Sequence, residues 1–208
     1  MKVLLTSLVS LAVLAAMALP LPGVAAPRSS AVFTGLDVVL VIDESGSMWG
    51  HPKYHPQPND RYDHRLGAAK NIILRLAENV SDSAQTHRLS VVEFGDTATV
   101  VASNHIFKYD PMHPGEALVQ AAALSALIVS RHEVNTNTPA ALSAAARELD
   151  KMSAVVGAGV RRRRVVLLLT DGRPHQSATP DITTRVRAEN ETRALSKLGA
   201  ELWVVGIN

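Results

Sequence analysis

The most informative absence from this 208-residue sequence is that of cysteine. Without cysteine the chain has no disulfide framework, no thiolate metal ligand and no cysteine nucleophile. Aromatic residues make up only 4% of the chain, and the formal net charge is only +2. Nucleic-acid binding needs a broad basic face and, for single strands, stacking aromatics, so the composition argues against nucleic acid as a partner. The chain is long enough to bury a substantial core without disulfide bonds.

A long apolar run occurs only at the N-terminus. Lys2 is followed by the almost wholly apolar Val3–Leu19 and then by prolines and small residues. This order predicts a secretory signal peptide over residues 1–26, followed by a linker over residues 27–35. The run of about 17 residues is shorter than the roughly 20 that a membrane span requires, so we expect no stable span after cleavage. An exported protein without cysteine is more typical of a bacterial periplasmic or extracellular protein than of an animal extracellular domain.

Strand and helix patterns alternate over the rest of the chain. Leu36–Ile42 and Val165–Leu169 are short apolar runs bounded by turn residues, which suits strands buried on both faces. Leu89–Phe94 and Thr97–Val101 are separated only by Gly95-Asp96, which favours a type II′ hairpin. A helix is predicted from Arg65, with Asp63 as its N-cap, and another over Pro114–Val129. A third is predicted from Pro139, with Thr138 as its cap, and a fourth over Asp181–Leu198. A last strand follows at Leu202–Ile207. This alternation predicts a Rossmann-like open α/β sheet, mostly parallel, with helices on both faces and Thr97–Val101 as an antiparallel edge strand.

Three oxygen-rich loops feed the edge of the sheet at which ligands bind in such folds. Asp43, Ser45 and Ser47 follow the first strand at a spacing of two, which lets alternate side chains of an extended segment point the same way. Thr136 lies in a polar loop before a helix, and Asp171 follows the strand at Val165–Leu169. We therefore expect these five side chains to converge.

Two carboxylates and three hydroxyls form an all-oxygen ligand set. Such a set suits a hard cation, Mg²⁺ first and Ca²⁺ or Mn²⁺ as alternatives, and disfavours copper and zinc. Two carboxylates roughly balance the charge of a dication, and the hydroxyls add neutral ligands. A coordination position is left open for water or for an acidic group from a partner.

The motifs resemble those of the von Willebrand factor type A (VWA) family and its metal-ion-dependent adhesion site. They are Asp43-Glu44-Ser45-Gly46-Ser47, Thr136 within Val134–Pro139, and Thr170-Asp171-Gly172. The segments Arg65–Lys70 and Glu93–Asp96 are also similar to the family's usual sequence. In one departure, Val134-Asn135 stand where the family often has a glycine pair.

The resemblance implies a VWA-like domain over residues 36–208 that binds partners and is not an enzyme. It implies metal ligation by Asp43, Ser45, Ser47, Thr136 and Asp171, with a protein ligand supplying Asp or Glu to the metal. It also implies a further helix and edge strand after Leu202–Ile207, so we expect the domain to be C-terminally incomplete at Asn208, with an exposed last strand.

Two other functions stay open from the residues alone. One is a structural or assembly module of a larger envelope protein, whose metal site is occupied internally or unused. The weaker one is a secreted hydrolase that uses Ser45 or Ser47, although neither lies in a Gly-x-Ser-x-Gly elbow. Glu44 beside Asp43 does not predict an acid–base pair, because neighbouring residues of a strand point to opposite faces.

Three further groups of residues have a simpler interpretation than a functional one. His51, His55 and His64, with Asp60 and Asp63, lie in a long loop, and a solvated proline-rich loop is favoured over a second metal site. His175 is expected to be an exposed loop residue and not part of the site's rim. Arg161–Arg164 directly precede a buried strand and are interpreted as a solvated turn.

Overall fold

A strand that contains a continuous apolar run forms the centre of the fold. The computed structural model describes residues 33–53, 56–80, 85–153, 161–172 and 181–207, and the predicted signal peptide lies outside them. Strand β1 (Phe33–Asp43) contains Val38–Ile42, whose side chains are all fully buried. Burial on both faces explains why this run does not alternate with polar residues. The strand begins within the predicted linker, because Phe33 already pairs with Arg161 of a neighbouring strand.

The other described elements continue the alternation of helix and strand. They are the short helix α1 (Gly46–Trp49), α2 (His64–Glu78), β2 (Thr86–Phe94), β3 (Ala98–Lys108), α3 (Glu116–Leu127), α4 (Thr138–Ser153), β4 (Arg161–Thr170), α5 (Asp181–Lys197) and β5 (Ala200–Gly206). Gly199, which the sequence marks as the end of a helix, follows α5 with a φ of +69°. Within the described ranges, no helix has the length and apolarity needed to cross a membrane.

The five strands form one sheet in the order β3-β2-β1-β4-β5. Pairing is parallel between β1 and β2, β1 and β4, and β4 and β5, and it is antiparallel between β2 and β3. This confirms the predicted open, mostly parallel sheet with one antiparallel edge strand. In parallel neighbours the carboxyl ends share one edge of the sheet, so the loops after β1 and β4 lie side by side.

The two faces of the sheet are covered by different helices. Val39 and Val41 belong to a buried cluster with Leu142 and Leu149 of α4 and Leu195 of α5. Because side chains alternate along a strand, the intervening residues of β1 face the other side, and α2 packs against β1. Strand β1 is therefore packed on both faces directly before the first oxygen-rich loop.

The arginine run is the first half of a strand, so its interpretation as a solvated turn was wrong. Arg162 Nε donates to Asp37 Oδ1 of β1 at 2.5 Å, and its side chain is only 6% exposed. Arg163 forms a two-bond pair with Glu201 of β5 (2.8 and 2.7 Å), and Arg164 donates to the Leu198 carbonyl oxygen. Because each of these arginines finds an acceptor on a neighbouring segment, the charged run can form part of β4.

The turn between β2 and β3 also differs from its prediction. A type II′ turn needs a positive φ at its first central residue, and Gly95 does not have one. Its lack of a side chain matters for packing instead, since a Cβ at Gly95 would lie 2.3 Å from the Cβ of Glu133. Glu133 Oε2 accepts hydrogen bonds from the backbone N–H groups of Asp96 and Thr97.

The start of α2 is capped by a different aspartate from the predicted one. Asp63 precedes the helix in a left-handed conformation (φ +53°) and makes no side-chain capping bond. Asp60 accepts hydrogen bonds from the backbone N–H groups of His64 (2.6 Å) and Arg65 (3.1 Å). The capping carboxylate is therefore that of Asp60, four residues before His64, and not that of Asp63.

Candidate metal centre

The loops after β1 and β4 meet at the carboxyl edge of the sheet. Ile42 pairs with Leu169, so Asp43 and Thr170 follow at neighbouring positions. Thr170 Oγ1 donates to Asp43 Oδ2 at 2.5 Å, and the backbone N–H of Ser45 donates to Asp43 Oδ1 at 2.9 Å. The Asp43 carboxylate is thus fixed by one hydrogen bond from the first loop and one from the last residue of β4.

Asp43 is fully buried, which has an electrostatic consequence. Burial raises the pKa of its carboxyl to about 6, and the negative charge of Asp171 contributes in the same direction. The hydrogen bonds from Ser45 and Thr170 oppose this shift by stabilising the charged form. No cationic side chain among the described residues forms an ion pair with Asp43, so its charge is left without a counterion from that part of the protein.

A chain of oxygen atoms connects the first loop to the third. Ser45 Oγ lies 3.2 Å from Ser47 Oγ, and Ser47 Oγ donates to Asp171 Oδ1 at 3.0 Å. The other carboxylate oxygen of Asp171 accepts a hydrogen bond from Asn59 Nδ2 at 2.7 Å. Four of the five predicted ligands, Asp43, Ser45, Ser47 and Asp171, are therefore joined in one hydrogen-bonded set.

Thr136 belongs to the second loop, which is attached to the first by the backbone. The N–H of Gly46 donates to the Val134 carbonyl oxygen at 3.2 Å, and the N–H of Glu133 donates to the Glu44 carbonyl oxygen at 3.1 Å. Thr136 itself is 7% exposed. The structure therefore brings the loop of Thr136 to the edge where the other four residues lie.

The second loop is also anchored to the turn between β2 and β3. The Asp96 carboxylate accepts hydrogen bonds from the backbone N–H groups of Val134 and Asn135, at 3.2 Å each. The N–H of Asn137 donates to the Gly95 carbonyl oxygen at 2.8 Å. Val134 and Asn135, which replace the glycine pair often found in the family, are therefore both hydrogen-bonded through their backbone to Asp96.

The donor set fits a hard dication. Two carboxylates, one of them buried without a described cationic partner, accept hydrogen bonds from the hydroxyls of Ser47 and Thr170. In the part of the chain that the structure describes, no three His, Cys, Asp or Glu side chains gather into a group that could hold a metal. A cation here would be held by Asp43 and Asp171 together with hydroxyl oxygens, a hard-ligand environment.

Three acidic residues close to the first loop, Glu44, Asp60 and Asp63, are bound to one arginine. Glu44 forms a two-bond pair with Arg65, and burial raises the pKa of its carboxyl. Asp60 and Asp63 also bind Arg65. Glu44 is therefore paired away from Asp43, and the aspartates of the long loop already have a cationic partner in place of a second metal. His55 and His175 lie outside the described residues.

Three residues beyond the predicted set shape this centre. Thr170 holds Asp43, Asn59 holds Asp171, and Asp96 holds the second loop. The hydroxyl of Thr170 was visible in the sequence, directly before Asp171 at the end of an apolar strand. Asn59 gave no such indication, because it lies in a long polar loop whose path the sequence does not predict.

Comparison with known proteins identifies the family. The family model of the von Willebrand factor type A domain matches residues 37–208. This chain belongs to the VWA family. VWA domains are mostly non-enzymatic adhesion or structural modules, and they often bind a divalent cation and protein partners. A search of curated proteins gives no match.

Solved structures of low sequence identity resemble this chain in fold. Proximal thread matrix protein 1 from the mussel byssus superposes with a TM-score of 0.57 at 14% identity, over 84% of this chain and 38% of the mussel chain. A second structure of that protein, with a zinc-occupied MIDAS motif, gives 0.49 at 20% identity, over 85% and 36%. An aerotolerance-related membrane protein from Bacteroides fragilis gives 0.49 at 19% identity, over 83% and 68%. This chain thus spans well under half of the mussel protein.

Proposed function

We propose that this VWA domain binds a divalent cation and, through it, an acidic group of a protein partner. Mg²⁺ is the first choice of cation, with Ca²⁺ and Mn²⁺ as alternatives. The ligands are Asp43, Ser45, Ser47, Thr136 and Asp171. The observation that carries the proposal is the connected set of carboxylate and hydroxyl oxygens around Asp43 and Asp171.

The residues of the site have separate tasks in this function. Asp43 and Asp171 supply the charge that balances a dication. The serine hydroxyls supply neutral oxygen ligands, with Ser47 Oγ placed by Asp171 and Ser45 Oγ in contact with Ser47 Oγ. When bound, the cation supplies a Lewis-acidic position that an aspartate or glutamate from outside can occupy. No nucleophile or acid–base pair is required, so we propose a binding and not a catalytic role.

Export is part of the proposal. The order of Lys2, the apolar Val3–Leu19 and the small residues after it supports a cleaved signal peptide over residues 1–26. We place the mature domain in the periplasm or outside the cell, in a bacterium, because a cysteine-free exported chain is typical there.

Isothermal titration calorimetry with Mg²⁺ and Ca²⁺ tests the metal site directly. We expect the wild type to bind and Asp171→Ala to lose measurable binding, because one of two balancing charges is gone. Asp110→Ala is a matched control, since it removes a carboxylate that binds Met112 and His113 on the surface. Equal metal binding by Asp171→Ala and the wild type would show that the site lies elsewhere.

A second experiment tests recognition of an acidic group. The purified domain is passed over a peptide library with one central aspartate and over the same library with asparagine in its place. We expect retention by the aspartate library alone, loss of retention with EDTA and recovery with Mg²⁺. Retention that survives EDTA, or that persists in Ser45→Ala, would contradict metal-dependent adhesion.

A further inference from the structure

A buried arginine lies directly behind the metal centre. Arg65 at the start of α2 has a fully buried side chain. Its guanidinium donates to Glu44 through Nε (3.1 Å) and one terminal nitrogen (2.8 Å), and to Asp60 through the other (2.8 Å). The same side chain donates to Asp63 and to Ser130 Oγ (3.1 Å).

The Glu44 partner of Arg65 links the first loop to the second. Glu44 stands between Asp43 and Ser45 in the first loop. The Glu44 carboxylate also accepts the backbone N–H of Arg131 at 2.7 Å, and Arg131 leads into the second loop. Through Glu44, the Arg65 guanidinium therefore connects the first loop to the second. These are the two loops that the backbone bond from Gly46 to Val134 also joins.

Asp60 extends this connection towards the third loop. The N–H of Asp60 donates to the Met48 carbonyl oxygen (3.1 Å), and the N–H of Asn59 donates to the Ser47 carbonyl oxygen (2.8 Å). Asn59 then donates from its side chain to Asp171. Arg65 thus binds Asp60, and the adjacent residue Asn59 binds the proposed ligand Asp171.

We infer that Arg65 and Asn59 are positioning residues of the metal centre, Arg65 by fixing the first and second loops through Glu44 and Asn59 by fixing Asp171. The inference rests on the proposed function of the site. It assigns a role to the polar loop before α2, which is to deliver one donor to Asp171. Removing a residue that hydrogen-bonds to a metal ligand without touching the metal typically lowers metal affinity by about 10- to 100-fold.

The opposite end of the sheet provides a matched control for Arg65. Arg88 is buried and forms a two-bond pair with the buried Asp37 (2.7 and 2.6 Å). Asp37 and Asp43 are six residues apart on β1, which is about 20 Å along a strand. Arg65→Lys and Arg88→Lys each replace a planar, multiply bonded guanidinium by a single point charge.

The test measures Mg²⁺ affinity and thermal stability of the full chain in both variants. We expect both to lower the melting temperature, and only Arg65→Lys to weaken Mg²⁺ binding, by about 10-fold or more. Equal affinity in Arg65→Lys and the wild type overturns the role of Arg65 while leaving the proposed function intact. Equal weakening in Arg88→Lys also overturns it, since affinity would then follow stability alone.

Asn59→Ala decides the inference if Arg65→Lys does not fold, because Asn59 is exposed. Its control is Asn190→Ala, which removes a surface side chain bonded to Arg193. We expect about 10-fold weaker Mg²⁺ binding for Asn59→Ala alone, and unchanged affinity overturns the role of Asn59. A wild type that binds no metal overturns the proposed function and this inference together.

A metal-free measurement separates loop positioning from metal binding. In EDTA, hydrogen exchange of the Gly46 and Glu133 amides reports the two backbone bonds between the first and second loops. We expect faster exchange in Arg65→Lys than in Arg88→Lys. Exchange that is equal in the two variants would show that Arg65 does not hold these loops.

Discussion

Glu93 of β2 is a buried carboxylate whose protonation couples to folding. Its side chain is 1% exposed, and Arg131 Nε lies 2.5 Å from Oε2. Burial raises the pKa of Glu93 to about 7, with the charge of Glu44 adding to the effect and that of Arg131 opposing it. Because the folded state holds this proton more tightly than the unfolded chain, folding stability falls as pH rises from about 4.5 to about 7.

The replacement Glu93→Gln removes this titration. We expect the metal-free variant to lose less stability than the wild type between pH 4.5 and pH 7, by about 1–3 kcal/mol, since each unit of pKa shift corresponds to about 1.4 kcal/mol. Urea unfolding in EDTA across that range measures it. Glu78→Gln, which makes the same replacement in an exposed pair with Arg75, is the control. An unchanged slope in Glu93→Gln would exclude Glu93 as a source of the pH dependence.

Residues within one stretch of chain were predictable, and residues that act across the fold were not. The spacing of Asp43, Ser45 and Ser47 is visible in five consecutive letters. The role of Arg65 depends on Glu44, 21 residues earlier, and arginine in the first turn of a helix ordinarily faces solvent. Only the packing of α2 against the sheet shows that this arginine is buried.

At the level of elements, the turn between β2 and β3 is defined by its contact with the second loop. Gly95 has no room for a side chain beside Glu133, whereas Gly67 of α2 has nothing within 4 Å of the place a Cβ would take. We expect Gly95→Ala to destabilise the fold by about 1–3 kcal/mol through overpacking. Gly67→Ala should stabilise it by about 0.5–1 kcal/mol through helix propensity.

Urea unfolding of the two alanine variants, measured side by side, checks whether the free energy of unfolding falls in Gly95→Ala and rises in Gly67→Ala. Gly95→Ala should also displace Glu133 and so free the N–H groups of Asp96 and Thr97, which hydrogen exchange detects. A neutral Gly95→Ala would mean that Glu133 moves aside at no cost, and the second loop would then not be anchored through it.

The mostly parallel sheet with an antiparallel edge strand was predictable from the alternation of strands and helices, while the ends of the elements were not. Buried apolar runs predicted the centres of β1 and β4, because burial on both faces excludes polar residues there. The first half of β4 consists of arginines, and the acceptors of Arg162 and Arg163 lie on other strands, at Asp37 and Glu201. Such long-range pairing overrides the local preference of a charged run for a turn.

At the level of the whole molecule, a bound cation contributes to folding stability by mass action. At a free Mg²⁺ concentration about 100 times its Kd, the domain should gain about 2.7 kcal/mol. Calorimetric melting with and without Mg²⁺ measures the gain. We expect none in Asp171→Ala and the full gain in Asp110→Ala. A gain in all three proteins would indicate nonspecific cation binding.

The two aspartates of β1 make the central strand electrically asymmetric from end to end. Asp37 is neutralised by Arg88 and Arg162, whereas no described side chain neutralises Asp43. One end of the strand is thus balanced within the protein, and at the other end the proposed cation would supply the balancing charge. Asp43→Asn should therefore make the metal-free fold more stable while it abolishes metal binding, an exchange of function for stability. Selection for stability alone would not retain an aspartate at this position.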